Sequence, residues 1–400
     1  MNRNSKGPVA EHPGGGAPSG RAAEGPEGAG RGAVAPRTAA AGGLAPASEA
    51  RHGRVLVVSP CRDEQDYVRR TLDAITQQSH PPALWVIVDD GSTDDTPRIL
   101  AEYAERFPFI RVIRREDRGK RSVGPGVIEA FYHGLDAVDM DEFEFVCKLD
   151  LDLDMPRDYF ERLITAMRHE PRLGSFSGKP FYLDEAGDER DEFCDDEITV
   201  GMTKFYRVDC FREIGGFVRQ VMWDGIDSHR CRMLGWIARS SGDKQLRFEH
   251  LRAMGSSDKN VLRGRRRHGA GQHFMGTSLA YICASAVRRV FQAPFLLGSA
   301  AMSWGYLSSW FRRVPRYDDL QFRKFLRGYQ WSALFRGKQR TIARIEAERA
   351  DVWRDRRPHD GGPASIPGSS SSGSPSSVSS AADADRSAAD AVPSASGSDR

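Results

Sequence analysis

The chain has 400 residues and a formal net charge of +3, with 58 Lys and Arg against 55 Asp and Glu. So small a net charge does not favour general nucleic-acid binding, which needs a strongly basic face. The cysteines form no CxxC pair, a usage typical of a reducing compartment and not of a disulfide framework or zinc site.

The two ends have compositions that do not favour a folded core. Residues 1–50 are rich in Gly, Ala, Pro and Ser, and residues 358–400 repeat Ser, Ala, Gly and Asp. Neither segment has apolar periodicity, so neither can bury enough surface to offset the entropy of ordering. We predict two disordered tails, and we see no apolar run of a signal peptide in the first one.

Strands and helices alternate through the first half of the body. Apolar runs predict strands at residues 54–60, 84–89, 109–115 and 143–154. Helical spacing predicts helices at residues 67–79, 97–108 and 122–138, the second with Thr96 as N-cap and Pro97 in its first turn. This alternation predicts an α/β fold with a mostly parallel sheet covered by helices on both faces.

Polar residues follow each predicted strand. They are PCRDE (60–64), DDGSTDD (89–95), RGKRSVGPG (118–126) and DLDMP (152–156). Because ligands bind outside the carboxyl ends of such strands, we expect these segments to line one cleft.

The chemistry of this cleft suits a metal and a diphosphate. In LDLDLD (149–154), alternate aspartates would share one strand face and repel each other. Carboxylates without nearby Cys or paired His favour Mg²⁺ or Mn²⁺, which would relieve this repulsion. Arg62, Lys120, Arg121, Lys148 and glycine N–H groups would hold the diphosphate. The alternatives are a simple helix cap and turn at DDGSTDDT and a solvent-facing edge strand at LDLDLD.

Three motifs, in this order, resemble the inverting family 2 glycosyltransferases of the GT-A fold. They are VVSPCRDEQDYVRRTL (57–72), WVIVDDGSTDDT (85–96) and KLDLDLDMPRDYF (148–160). The resemblance covers residues 54–312 and is nearest to members acting on cell-surface polysaccharide or lipid-linked glycans. It implies that Pro60, Arg62, Glu64, Asp89 and Asp90 bind a nucleotide-sugar donor.

The resemblance also implies a metal site. The family's Asp-x-Asp motif matches Asp150 and Asp152, because the PRDYF segment that follows fixes the register and leaves Asp154 as an extra. Asp152 is expected to bind the metal, and Asp150 is expected to contribute both to metal binding and to binding of the nucleotide sugar. The family often places a histidine where His250 stands, completing the metal or phosphate shell; the alternative is a surface or core histidine.

The second half is expected to supply the catalytic base. GMTKFYRVDCFREIGGF (201–217) predicts a strand, a short helix and a Gly-Gly turn, and VMWDGIDSHRCRMLGW (221–236) predicts a helix. The family has Glu-Asp at the start of this helix, and Trp223 replaces the Glu. Asp224 is the better match for the base and Asp227 the second candidate. The alternative is that Asp224 only caps the helix and Asp227 is solvated.

The C-terminal part of the body suggests a membrane surface. We predict that the basic run 263–271 is a loop that binds the donor diphosphate or anionic lipid. The uncharged stretch 292–311 has arginines on both sides and interface-type aromatic residues within it. It is interpreted first as an interfacial helix, then as a buried helix, and last as a membrane span. A basic amphipathic helical tail is predicted from 317 to 353.

These features predict a GT-A domain over residues 51–275 and a helical, membrane-associating region over 276–357. The function implied is metal-dependent, inverting transfer of a sugar from a nucleoside diphosphate to a glycan or lipid-linked acceptor, at the cytoplasmic face of the cell membrane. The rivals are a nucleotidyltransferase that makes the sugar nucleotide, and an inactive relative that binds a nucleotide or glycan. The loop PCRDE disfavours the first, and only Trp223 suggests the second.

Overall fold

The computed structural model describes residues 51–117, 125–192, 194–252, 261–289 and 295–356. Its strands are β1 (Val55–Cys61), β2 (Leu84–Asp89), β3 (Ile110–Arg114), β4 (Phe145–Leu149), β5 (Leu153–Asp154), β6 (Leu173–Ser177), β7 (Pro180–Leu183), β8 (Glu189–Asp191), β9 (Thr203–Arg207), β10 (Ile237–Ser240) and β11 (Phe248–His250). Its α-helices are α1 (Val68–Thr76), α2 (Thr96–Arg106), α3 (Pro125–Leu135), α4 (Tyr159–His169), α5 (Val208–Glu213), α6 (Trp223–Met233), α7 (Val261–Met275), α8 (Leu279–Arg289), α9 (Phe295–Phe311), α10 (Leu320–Arg336), α11 (Lys338–Glu348) and α12 (Ala350–Asp355).

A seven-stranded central sheet has the order β10-β6-β9-β4-β1-β2-β3. Four of its neighbouring pairs are parallel, and β9 runs antiparallel to both β4 and β6. Alternate residues of β1 enter two different cores. Val55 and Val57 pack in a core with α1, α2 and α4, whereas Leu56 and Val58 pack in a core with α3, α5 and α6. The predicted α/β class, with a mostly parallel sheet and helices on both faces, is therefore confirmed.

The predicted strand 143–154 is wrong, because it is interrupted at the three aspartates. Pairing of β4 with β9 ends at Leu149, opposite Thr203. Beyond it, Asp150 N donates to Met202 O (2.8 Å) and Leu153 N donates to Thr71 Oγ1 (2.9 Å). The chain then enters a second sheet, β5-β11-β7-β8. The three aspartates consequently do not share one strand face.

The predicted N-cap of α2 is also wrong. The helix begins at Thr96, whose hydroxyl accepts from Glu64 N (2.9 Å), while Asp94 Oδ1 accepts from Thr96 N (3.0 Å). The threonine therefore connects the helix to the loop after β1 and does not cap its own first turn.

The basic run 263–271 lies in helix α7, so the predicted loop is wrong. Its glycines serve a close helix contact and not a turn. A Cβ on Gly269 would lie 1.9 Å from Met302 O of α9, and one on Gly305 of α9 would lie 2.0 Å from Arg266 O. Two backbones can approach this closely only where side chains are missing.

The C-terminal helices pack against the rest of the body. Phe322 and Leu326 of α10 share an apolar cluster with Ile226 of α6, and the ring of Trp353 meets that of Trp236 at 5.9 Å. The predicted basic tail is thus helical and docked. Among the helices that the structure describes, none combines the length and apolarity needed to cross a bilayer.

The contact between α7 and α9 gives a direct test of the packing. We expect Gly305→Ala to lower the free energy of unfolding by about 1–3 kcal/mol, because its Cβ would meet a backbone oxygen. Gly328→Ala in α10 is the matched control. Its Cβ would meet nothing within 4 Å, and the change should stabilise by about 0.5–1 kcal/mol. Urea unfolding of both variants measures the difference; equal effects would contradict the close contact.

Candidate active site

The loops after β1 and β2 are held together by Arg62. Its guanidinium donates to Asp90 O (3.0 Å) and to Asp117 Oδ1 (2.7 Å). Asp90 N in turn donates to Cys61 O (2.9 Å), and its carboxylate pairs with Arg115 (2.7 Å). Arg62 and Asp90 therefore lie next to each other at the carboxyl edge of the sheet, and Pro60 is the last but one residue of β1.

Asp89, the last residue of β2, is fully buried. Its Oδ1 accepts from Ser92 N (2.8 Å). Its Oδ2 lies 3.6 Å from Arg114 Nε and has no hydrogen-bond partner among the described residues. Burying a carboxylate oxygen without a hydrogen bond is costly, which makes this oxygen a candidate ligand-binding atom.

Asp152 lies in a second buried cluster that reaches the same edge. Its Oδ2 accepts from Arg252 Nη2 (2.7 Å), and the same Nη2 donates to Glu64 Oε1 (3.1 Å). His250 Nε2 lies 3.6 Å from Asp152 Oδ2, while His250 Nδ1 lies 2.9 Å from Glu192 Oε2. Arg252 thereby joins the predicted metal aspartate to the loop after β1.

The charges of this cluster are strongly coupled. Burial alone would raise the pKa of Asp152, but His250 and Arg252 hold it below its usual range. Burial lowers the pKa of His250, yet the contacts with Asp152 and Glu192 outweigh burial and raise it to about 9. Both groups are therefore charged at neutral pH.

The residues around Asp152 fit a divalent cation held jointly with a diphosphate. Asp152 is only 5% exposed, and its Oδ1 has no hydrogen-bond partner in the described structure. Among the described residues, no three His, Cys, Asp or Glu side chains form a complete metal cage. Mg²⁺ and Mn²⁺ commonly bind through one or two carboxylates plus substrate phosphates, which matches Asp152 with Asp150.

The other two aspartates of the motif face different partners. Asp150 accepts from the buried ammonium of Lys148, which also donates to Gly201 O (3.0 Å). Burial raises the pKa of Asp150 against the opposing effect of Lys148. Asp154 pairs instead with Arg70 of α1 (2.6 Å). This separation is consistent with treating Asp154 as an extra to the motif.

Asp227 belongs to a closed buried network. Its Oδ2 accepts from Lys204 Nζ (2.5 Å) and Tyr206 OH (2.5 Å), and its Oδ1 accepts from Ser228 N (2.5 Å). Burial raises the pKa of Asp227, while Lys204 and Tyr206 oppose that shift. The interpretation of Asp227 as solvated is wrong, because the residue is 1% exposed.

Asp224 lies on the same helix as Asp227, but its carboxylate is exposed and not buried. It stands in the first turn of α6, is exposed, and its carboxylate has no hydrogen-bond or ion-pair partner among the described residues. A Cβ on Gly201 would lie 3.5 Å from Asp224 Oδ2, and Gly201 O binds Lys148, the partner of Asp150. Lys204 Nζ donates to Asp224 O (2.9 Å) and so fixes its backbone.

Four residues of the site were not predicted from the sequence. Arg252 follows His250 by two residues, a spacing that could have placed both on one face. Lys204 and Tyr206 have the same spacing in β9, which could have signalled a paired polar face in a buried strand. Glu192 offered no signal, because the acidic segment 184–197 has no spacing typical of a cation site. In the structure, β8 lies within this segment and Glu192 is only 8% exposed.

Residues 56–193 match the family model described as glycosyl transferase family 2. The chain carries a family 2 glycosyltransferase domain. The match begins in β1 and runs beyond β8, so it includes the loops after β1 and β2, the Asp150–Asp154 motif and Glu192. Asp224, Asp227, His250 and Arg252 lie outside it.

Curated relatives of this glycosyltransferase domain cover a similar region. The poly-beta-1,6-N-acetyl-D-glucosamine synthase of Staphylococcus aureus strain MSSA476 is 28% identical over 121 residues, which are 30% of this chain and 27% of the synthase. The enzyme of the same name from Staphylococcus epidermidis is also 28% identical over 121 residues. The match thus spans about a quarter of the length of these relatives.

Solved structures align over more of the chain at low identity. The mannosyltransferase PcManGT from Pyrobaculum calidifontis, in complex with GDP-Man and Mn²⁺, is 19% identical with a TM-score of 0.42, covering 76% of this chain and 88% of its own. Staphylococcus aureus TarS 1-349 in complex with UDP-GlcNAc is 15% identical with a TM-score of 0.41, covering 75% and 89%.

Two residues predicted to bind the diphosphate, Lys120 and Arg121, lie outside the described residues, as do residues 1–50 and 357–400. The assignment of these two cations and of both tails stays a prediction.

The network around Asp227 predicts a structural role. We expect Asp227→Asn to lower the free energy of unfolding by about 3–5 kcal/mol, because it leaves Lys204 buried without a counter-charge. Asp224→Asn, the matched control on the same helix, should change it by less than about 0.5 kcal/mol, since Asp224 is exposed.

Denaturant unfolding of both variants checks this prediction. The double variant Lys204→Met with Asp227→Leu should recover much of the lost stability, because apolar replacement of a buried pair is often neutral. Full stability in Asp227→Asn would contradict the structural role and restore Asp227 as a candidate base.

Proposed function

We propose that the chain is a metal-dependent, inverting glycosyltransferase that moves a sugar from a nucleoside diphosphate to a glycan or lipid-linked acceptor. One observation carries the proposal: beside the loops after β1 and β2, the buried carboxylate of Asp152 keeps one oxygen that has no hydrogen-bond partner among the described residues. The family 2 domain supports the reaction class. The curated relatives, named for synthesis of a polysaccharide, support a glycan acceptor.

The donor would bind along the carboxyl ends of β1, β2 and β4. Asp89 offers a buried oxygen for the nucleoside, and Arg62 and Glu64 belong to the turn next to it. A bound Mn²⁺ or Mg²⁺, held by Asp152 with Asp150, would supply positive charge for the departing diphosphate. Arg252 keeps Asp152 ionised and in place, and His250 adds a second positive charge.

Asp224 would act as the general base. Its carboxylate is exposed and without a protein partner among the described residues, so it can accept a proton from an acceptor hydroxyl. Removal of that proton makes the hydroxyl oxygen a better nucleophile toward the anomeric carbon, on the face opposite the leaving diphosphate. The Lys204 contact to Asp224 O holds the first turn of α6 during this step.

The location we propose is the inner face of the cell membrane. No disulfide joins the cysteines of the described residues, which fits a reducing compartment. The membrane contact itself is argued separately below.

The first test is calorimetric titration of the full chain with UDP, GDP and dTDP, with and without Mn²⁺. We expect metal-dependent binding of one nucleotide, weakened at least tenfold by Asp152→Ala because the metal loses its carboxylate. Asp154→Ala is the matched control, because it removes a carboxylate from the same motif that pairs with Arg70 and is not part of the proposed metal site. Equal binding by wild type and Asp152→Ala would contradict the proposed donor site.

The second test separates catalysis from binding. Asp224→Asn should keep donor affinity and lower turnover by about 10²–10⁴-fold, because only proton removal is lost. The assay measures nucleoside diphosphate released from the donor in the presence of a membrane extract as acceptor source. Unchanged turnover in Asp224→Asn would eliminate it as the base. Nucleotide binding without turnover in wild type would favour the inactive relative.

A further inference from the structure

Helix α9 exposes large apolar side chains and buries small and polar ones. Its inner side carries small and polar residues, namely Gly298, Ser299, Gly305 and Ser309, together with Met302 and Tyr306. Its outer side carries Leu296 (67% exposed), Leu297 (65%), Trp304 (58%) and Phe311 (71%). At 100° per residue these four side chains fall within one arc of about 100°. A surface helix of a water-soluble domain shows the opposite pattern.

The inner side is fixed in place, so the helix cannot rotate to bury the apolar residues. Gly305 lies against the backbone of α7. Tyr306 OH donates to Thr277 O (2.7 Å), and Ser299 Oγ donates to Ala286 O (3.2 Å). The polar groups of the inner side are thus satisfied by protein. The apolar arc, which we call the outer face of α9, therefore stays exposed.

A cationic end adjoins the outer face. Arg312 and Arg313 follow Phe311 directly, are exposed, and have no ion-pair partner among the described residues. Arg313 has φ 52, and the hydrogen bond from Val314 N to Ser309 O (3.0 Å) closes the end of the helix around it. Glycine is the usual residue at such a left-handed position. An arginine kept there against backbone strain indicates a use for its charge.

We propose that the outer face of α9 docks on an anionic lipid bilayer, with the helix lying along the surface. Leucine, tryptophan and phenylalanine side chains would enter the acyl boundary, where Trp is favoured. Arg312 and Arg313 would contact the headgroup phosphates. Since α7 covers the opposite side of α9, only one side of the helix is available to lipid.

Two other occupants of the outer face fit less well. A second copy of the chain would bring two uncompensated arginine pairs into one interface, where they repel. The two tails, residues 1–50 and 357–400, contain no aromatic residue and between them one leucine and one isoleucine. They lack the apolar side chains to cover this surface, whereas anionic lipid matches both its apolarity and its charge.

Vesicle sedimentation of the full chain tests the proposal, with vesicles of phosphatidylcholine alone or mixed with phosphatidylglycerol. We expect binding to the mixed vesicles, at least tenfold weaker for Trp304→Ser with Phe311→Ser. Leu183→Ser is the matched control, because Leu183 is an exposed apolar residue of β7 outside α9. Arg313→Gly should relieve the backbone strain, keep or raise thermal stability, and still weaken binding to anionic vesicles.

Each outcome decides for or against the proposal. Loss of binding in the double serine variant with unchanged thermal unfolding supports it, as does weaker binding at high salt. The proposal is overturned if the wild-type chain does not bind the mixed vesicles, or if the double variant binds them as tightly as the wild type does. It is also overturned if the lipid-free chain is a dimer that the double variant makes monomeric. This inference deepens the membrane part of the proposed function, yet nucleotide titration can succeed or fail independently of it.

Discussion

Two buried lysines face each other across the middle of the sheet, and the site depends on how they are compensated. Lys148 of β4 and Lys204 of β9 are direct partners in an antiparallel ladder, and both are almost fully buried. Like charges opposite one another destabilise a strand pair, and burial adds to the cost. Each ammonium therefore pairs with its own aspartate, Lys148 with Asp150 and Lys204 with Asp227. The ring of Trp223 lies 5.4 Å from one ammonium and 5.5 Å from the other.

The lysine pair gives a physical reason for a tryptophan at position 223, where the resemblance to family 2 leads us to expect a glutamate. The two lysines are already balanced by two aspartates, so a third carboxylate beside them would leave an unpaired buried negative charge. An indole ring instead offers its electron-rich face to both ammonium groups without adding a charge. The substitution is thus compatible with an intact site, because Asp224, the next residue, stays exposed and its backbone stays bound to Lys204.

Whether an element or a site residue could be predicted depends on how far apart in the sequence its interacting residues lie. Elements such as β1, β2 and α1 could be predicted, because their apolar spacing depends on local periodicity alone. The break after Leu149 could not, since it depends on Thr71 and Met202, which lie far away in the sequence. The helix α7 was also missed, because Gly269 and its neighbouring glycines are typical of loops unless a second helix packs against them.

The same limit applies to the site. The motif around Asp150 and Asp152 was visible as a local pattern, and so was Asp89 at the end of an apolar strand. Arg252 and Glu192, which fix the charge states of Asp152 and His250, come from segments with no recognisable motif. Lys204 looked like an ordinary strand residue, because only the strand register shows that it lies opposite Lys148.

The buried aspartates differ in whether one or both of their carboxylate oxygens accept a hydrogen bond. This difference distinguishes a carboxylate that only stabilises the fold from one that is available to a ligand. Asp227 has hydrogen-bond donors at both oxygens, which leaves neither oxygen available to a substrate. Asp89 and Asp152 each keep one buried oxygen without a hydrogen bond within the described structure. A buried oxygen of this kind has lost its hydrogen bonds to water without gaining one from the protein. A ligand or cation bound there would supply the missing contact, and for this reason we propose the donor site beside Asp89 and Asp152 and not beside Asp227.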